Sequence, residues 1–302
     1  MLYDGMIIKG LWYGNTYRVH KELGRGAIGI VYLVENLQTL QLCAMKISQS
    51  LQMTSGEYVR LKTIQQEVQS GHFGPLLYEM DDLQIHGQQY HYYTMEYIHG
   101  QTLERVLRIS RGGKRARRRQ LRYIGQILSY LQAIHQKGYV FADVKAENIM
   151  LEYSQDRIRF IDFGGVVAVG KMVKQYSALY DRGCWKMGGR KADYRYDLFA
   201  VGILLVQIFV PHGVLLKAQK SANPMDVLYD IIHRELPLYL RPICIKAFCG
   251  QYRTTGEMCR EVQNAERHGG RRFWRLSKID CAFWGSLVFM LSTVIYIMVM
   301  TK

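Results

Sequence analysis

Residues Gly138 to Gly165 read GYVFADVKAENIMLEYSQDRIRFIDFGG, in which Asp143, Asn148 and Asp162 stand in a chemically suggestive spacing. Asp143 has Lys145 two residues on and Asn148 five residues on, in a short loop between an apolar helical pattern and a β-like run. Asp162 follows the apolar positions Ile158, Phe160 and Ile161 and precedes Phe163 and Gly164. Solvated loop carboxylates are the bland alternative, but chance rarely sets two such motifs in order at this distance.

Upstream, the pattern from Tyr17 is a strand, a glycine turn, a second strand (Ile30 to Glu35) and a third (Leu42 to Ile47). Gly24, Gly26, Gly29 and Val31 fit G-x-G-x-x-G-x-V. A dinucleotide-binding fold carries similar glycines, yet there a helix follows the turn, and here β-branched residues follow it. A strand-turn-strand flap without side chains lets backbone N–H groups approach phosphates. Together with A-D-V-K-x-x-N and D-F-G, this order resembles bacterial Hanks-type serine/threonine protein kinases over roughly residues 17 to 260.

The resemblance implies an α+β, bilobal protein-kinase fold. A β-rich N-lobe would cover 1–97, a helical C-lobe 98–265, a basic linker 266–278 and one C-terminal transmembrane helix 279–301. It implies ATP and Mg2+, or Mn2+, as cofactors and proteins as substrates. Asp143 would accept the hydroxyl proton, Lys145 would face the moving phosphate, and Asn148 and Asp162 would hold the metal. Lys46 would contact the α and β phosphates, tied to a Glu on the next helix. Glu57 is the choice, with Leu61, Ile64 and Val68 on one face after a cap at Thr54 or Ser55, and Glu67 is its rival. Met95 would back the adenine pocket and the backbone of Glu96 to Ile98 would pair with the adenine edge. Met150 would form the floor below Val31 and Ala44. Asp197, preceding a buried helix over Leu198 to Val210, would hold the catalytic-loop backbone. The spacing predicts a further helix over Gln120 to Gln136, with His135 a packed residue and Gly138 its stop.

Charge adds a second theme. The 302 residues carry 40 Lys and Arg against 25 Asp and Glu, a surplus of +15 that suggests an acidic partner. Six Cys without a C-x-x-C pair read as reduced thiols, excluding a disulfide framework or structural zinc. From Arg105 to Arg122 nine of 18 residues are basic and none is acidic. This segment is expected to be a cationic loop, with Arg111, Lys114, Arg115, Arg117, Arg118 and Arg119 on duplex DNA or anionic lipid, or else a solvated face. The opening MLYDGMIIKGLWYGN has no secretory-signal layout. Cys281 to Met300 is an uncharged run of 20 residues, enough to cross about 30 Å of hydrocarbon as one helix. Arg271, Arg272, Arg275 and Lys278 precede it, which puts the body of the protein on the cytoplasmic side.

The pattern departs from the family in two motifs. Phe141 and Ala142 replace the His and Arg of H-R-D, which removes the arginine that answers a phosphorylated activation loop. No A-P-E is present, the region reading Gly183-Cys184-Trp185, so Arg253 lacks its usual glutamate. Ser177, Tyr176 and Tyr180 are candidate autophosphorylation acceptors, in a transient homodimer gathered at the basic segment. A catalytically inactive membrane-tethered binding module and a kinase of non-protein substrates are the alternatives.

Overall fold

The computed structural model describes residues 2–26, 29–68, 73–109 and 113–269. The first third is strand-rich. Strands β1 (Ile7–Lys9), β2 (Thr16–Arg25), β3 (Ile30–Asn36), β4 (Gln41–Ser48), β5 (Leu77–Ile85) and β6 (Gln88–Glu96) make one antiparallel sheet, ordered β1-β2-β3-β4-β6-β5. Helix α1 (Leu51–Glu67) is inserted between β4 and β5. Alternation along β4 sorts its side chains: Cys43, Met45 and Ile47 enter one apolar cluster, while Ala44 joins Tyr93 and Met95 on the other face. Lys46 shares that second face, which α1 covers.

Strand β5 runs through Glu79, Asp81 and Asp82. Its polar residues are absorbed locally: buried Asp81 accepts the backbone N–H groups of Trp12 (3.0 Å) and Tyr13 (2.9 Å). The hairpin into β6 turns at His86 and Gly87, both at positive φ, the backbone a tight two-residue turn requires. Helix α1 is capped by Ser50, whose hydroxyl accepts from Met53, so Thr54 and Ser55 lie inside the helix instead of at its start.

The remainder is mainly helical. After β7 (Gly100–Thr102) come α2 (Leu103–Ile109), α3 (Gly113–Gln136), β8 (Tyr139–Val140), β9 (Ile149–Glu152), β10 (Arg157–Phe160) and β11 (Val167–Ala168). Then α4 (Tyr194–Gln207), α5 (His212–Gln219), α6 (Pro224–Glu235), α7 (Arg241–Phe248) and α8 (Thr255–His268) complete the lobe. Helix α4 is buried along almost its entire length, as its uninterrupted apolar run requires. It starts earlier than expected, capped by Asp193, so Asp197 sits in its first turn and not before it.

The basic segment is not a loop. Arg105 and Arg108 ride on α2, and Lys114 to Arg122 form the first turns of α3; Arg111 lies outside the described residues. Ala, Arg, Lys, Gln and Leu are strong helix formers, and the stripe Leu121, Ile124, Leu128 and Leu131 extends the amphipathic pattern. Acids from distant segments answer part of the charge. Asp156 in the β9–β10 turn binds Arg119 (2.7 Å), Arg122 and the Tyr123 hydroxyl (2.6 Å), and Glu266 on α8 binds Arg118 (3.0 Å). Among the described residues no helix is long and apolar enough to cross a membrane. The apolar run 281–300 and the basic residues before it lie outside those residues.

Asp156→Ala removes the acceptor shared by three side chains of α3. It is expected to lower stability by about 1 kcal/mol, since these groups are partly exposed and screened, as read from the shift of a urea denaturation midpoint.

Candidate active site

Because Lys46 and Ala44 face α1, the lysine ammonium meets the buried face of that helix. Its Nζ lies 2.8 and 2.6 Å from the two Glu57 oxygens and 3.7 Å from Asp162 Oδ2. Glu67, at the end of α1, is exposed and accepts from the Tyr139 hydroxyl instead, so Lys46 pairs with Glu57. Burial works against the Lys46 charge, but Asp162 and Glu57 outweigh it and hold the ammonium above its ordinary pKa. Burial, with Asp162 nearby, pushes the Glu57 carboxyl up. Burial opposes the Asp162 charge as well, yet Lys46 and the Gly164 N–H keep that carboxyl below the usual range.

The loop bearing Asp143 is fixed from beneath. Asp197 Oδ2 accepts from Phe141 N (2.7 Å) and Oδ1 from Ala142 N (2.8 Å). Ala142 stands at φ +64°, a conformation that costs a non-glycine residue roughly 1 kcal/mol and persists only when its surroundings fix it. His135 supports Asp197 through Nε2 (2.8 Å) and itself meets the Thr255 hydroxyl (2.6 Å). Asp143 Oδ2 accepts from Lys145 Nζ (2.6 Å) and Asn148 Nδ2 (2.8 Å), while Oδ1 faces Ser177 Oγ at 3.5 Å. Oδ1 is therefore the less engaged oxygen, open to a second hydroxyl.

Asp162 and Asn148 offer a carboxylate and an amide, hard oxygen donors that suit Mg2+. A third of the Asp162 side chain remains accessible. Mg2+ keeps waters and phosphate oxygens in its shell, so two protein donors can suffice for it.

Between the lobes lies a cleft of about 430 Å3. Gly24, Val31 and Ala44 line it from above, Met150 from below, and Met95, Glu96 and Ile98 along the back. Leu23 and Ile161 also line it, although the sequence motifs give neither a place in the cleft; each directly precedes a motif residue. Two of the loop glycines, Gly24 and Gly29, differ in role. A Cβ on Gly24 would meet nothing, leaving space for a ligand, whereas one on Gly29 would run into the Ile47 carbonyl. Gly29 is thus needed for strand packing.

The segment after Asp162 is anchored without an A-P-E glutamate. Asp181 is buried and accepts from Arg190 (2.7 Å), the Tyr196 hydroxyl (2.7 Å) and Cys184 N (3.0 Å), which hold its carboxyl low although burial opposes them. Trp185 is fully buried and donates to the Leu179 carbonyl (2.7 Å). Tyr180 is not an available acceptor: it is buried, its hydroxyl donating to Gln207 Oε1 (3.0 Å). Tyr176 is exposed, with the Arg190 guanidinium 4.0 Å from its ring centre.

Replacing Asp181 by Ala leaves Arg190 and Tyr196 without their common acceptor. A loss of about 2 kcal/mol is expected, the scale of charged hydrogen bonds. Limited proteolysis should then cut first within residues 176–193.

Comparison with known proteins agrees with this architecture. The protein kinase domain family matches residues 17–237. Serine/threonine-protein kinase YabT of Bacillus subtilis (strain 168) is 35% identical over 276 residues, covering 90% of this chain and 78% of that protein. A probable serine/threonine-protein kinase PknB of Lactococcus lactis is 25% identical over 262 residues, 80% of this chain and 40% of its own. Human serine/threonine-protein kinase 10 is 27% identical over 246 residues, 76% of this chain and 24% of its own. A family match across most of the chain, and a relative 35% identical over 90% of this chain, place this protein in the protein kinase family as a serine/threonine protein kinase.

Proposed function

We propose that this kinase transfers the γ-phosphate of ATP to protein hydroxyls using the cluster around Asp143 and Lys46. The observation that carries this reading is the assembled contact of Lys46 with Glu57 and Asp162 beside a hydrogen-bonded Asp143. Asp143 Oδ1 accepts the proton of the substrate hydroxyl, and Lys145 and Asn148 hold Oδ2 so that the carboxylate cannot rotate away. Lys46, oriented by Glu57, contacts the α and β phosphates. The backbone of Glu96 to Ile98 takes the adenine edge between Ala44 and Met150. Asp162 and Asn148 would hold Mg2+, which when bound neutralises charge on the β and γ phosphates.

Two regulatory elements belong to the proposal. The uncharged run 281–300, with basic residues before it, supports anchoring to a membrane with the kinase on its cytoplasmic side. The exposed first turns of α3 support contact with an acidic polymer, duplex DNA or anionic lipid. Lys114, Arg115 and Arg117 carry that contact: among the described residues none has a carboxylate partner, unlike Arg118 and Arg119. Molecules gathered there would reach a higher local concentration and autophosphorylate in trans.

Asp143→Asn is expected to lower turnover at least ~10²-fold, the usual contribution of a positioned base, while nucleotide affinity stays near wild type. Labelled γ-phosphate incorporation and fluorescent-nucleotide titration measure the two, and unchanged turnover would sink the assignment. Charge reversal at Lys114, Arg115 and Arg117 should weaken DNA retention and flatten its log–log salt dependence by about 0.9 for each phosphate that is no longer neutralised. Retention unaltered at equal salt would refute the contact. Binding abolished on anionic vesicles but unchanged on DNA would identify lipid as the partner.

A further inference from the structure

Arg159 on β10 is a fully buried arginine outside the catalytic cluster, and its guanidinium gathers three parts of the molecule. Nη2 donates to Glu96 Oε2 (2.6 Å) and to the Gly74 carbonyl (2.6 Å); Nη1 reaches Glu96 Oε1 (3.2 Å) and Glu152 Oε2 (3.3 Å). Nε has no partner. Glu96 opens the strand-to-lobe crossing at the back of the cleft. Gly74 lies in the link from α1 to β5. Glu152 ends β9, where Arg157 also holds it (2.7 Å).

The surroundings tighten the same junction. Glu96 Oε2 accepts from Leu76 N (3.1 Å), Glu96 N donates to Leu76 O (2.8 Å), and Phe160 N donates to Phe73 O (2.7 Å). Across the β9–β10 ladder Arg159 pairs with Met150, the cleft floor, and two residues along the same face Ile161 lines the cleft. One guanidinium thus ties the back edge, the floor and the link from α1 into a single unit. Burying a charge is costly, and apolar packing would stabilise this junction as well or better. What the ion cluster supplies is direction, because a planar fork fixes two carboxylates and a carbonyl in one geometry and cannot lose its proton.

We infer that Arg159 is a positioning residue for the nucleotide: by clamping Glu96 and Gly74 to β10 it sets the backbone of residues 96–98 where the adenine edge docks. The inference rests on the proposed adenine contact of Glu96 to Ile98.

The test compares the full-length protein with Arg159→Met, Arg159→Lys and the charge-balanced pair Arg159→Met with Glu96→Met. The expected result is a KM for ATP raised about tenfold with kcat within about twofold, since a residue that only positions the docking edge acts on binding. Lysine should recover only part of the affinity. The paired variant should regain thermal stability that the single one lacks, yet keep the raised KM and show faster hydrogen exchange at the amides of Tyr97 and Ile98. If Arg159→Met does not fold, the paired and lysine variants carry the same comparison. A folded paired variant with wild-type KM, or a fall in kcat at unchanged KM, overturns the inference. Wild-type amides at 96–98 that gain no protection from a non-hydrolysable ATP analogue would overturn the adenine contact itself.

Discussion

An ammonium buried between two carboxylates organises this molecule. Lys46 comes from the sheet, Glu57 from α1 and Asp162 from the strand pair of the helical lobe, so their contact requires all three elements to be in place. Desolvation opposes each of the three charges; the carboxylates outweigh it for Lys46 and Lys46 outweighs it for Asp162, whereas burial and the nearby Asp162 charge keep the Glu57 carboxyl raised. The arrangement is most sensitive at Lys46, because removing that charge leaves the Glu57 and Asp162 carboxylates without their shared cation. Two-residue alternation along β4 and the buried stripe of α1 bring the groups to the same interface.

Much of the site was legible because its residues lie in short, spaced motifs. Asp143, Lys145, Asn148 and Asp162 fall within one 28-residue stretch, and the glycine turn followed by a β-branched strand places Lys46. The partner of Lys46 was not decidable, since Glu57 and Glu67 both suit a helix and only packing shows which one faces the sheet. The basic stretch misled for a related reason. It contains no acid of its own, and its partners Asp156 and Glu266 lie 37 and 148 residues from Arg119 and Arg118, respectively. Local charge counts miss such pairing, whereas helix propensity, equally local, favoured the conformation that forms.

The departures from the family pattern also find physical substitutes that short motifs conceal. With Ala142 in place of arginine, the Asp197 carboxylate still holds the strained backbone beside Asp143. With no A-P-E glutamate, Asp181 and Arg190 tie down the segment after Asp162 through a pair nine residues apart. Trp185 adds a fully buried ring there, and Arg60 on α1 reaches the Phe163 carbonyl from the other side (3.3 Å).

The bond between Thr255 and His135 bears on where the domain ends. The family match stops at residue 237, before α7 and α8. Yet α8 supplies the hydroxyl that orients His135, which orients Asp197, which in turn holds the loop of Asp143. It also buries Met258, Cys259 and Val262 in the lobe's core. A fragment trimmed to the matched residues would lack the last link of that relay, so α8 is a packed part of the lobe although it lies beyond the family boundary.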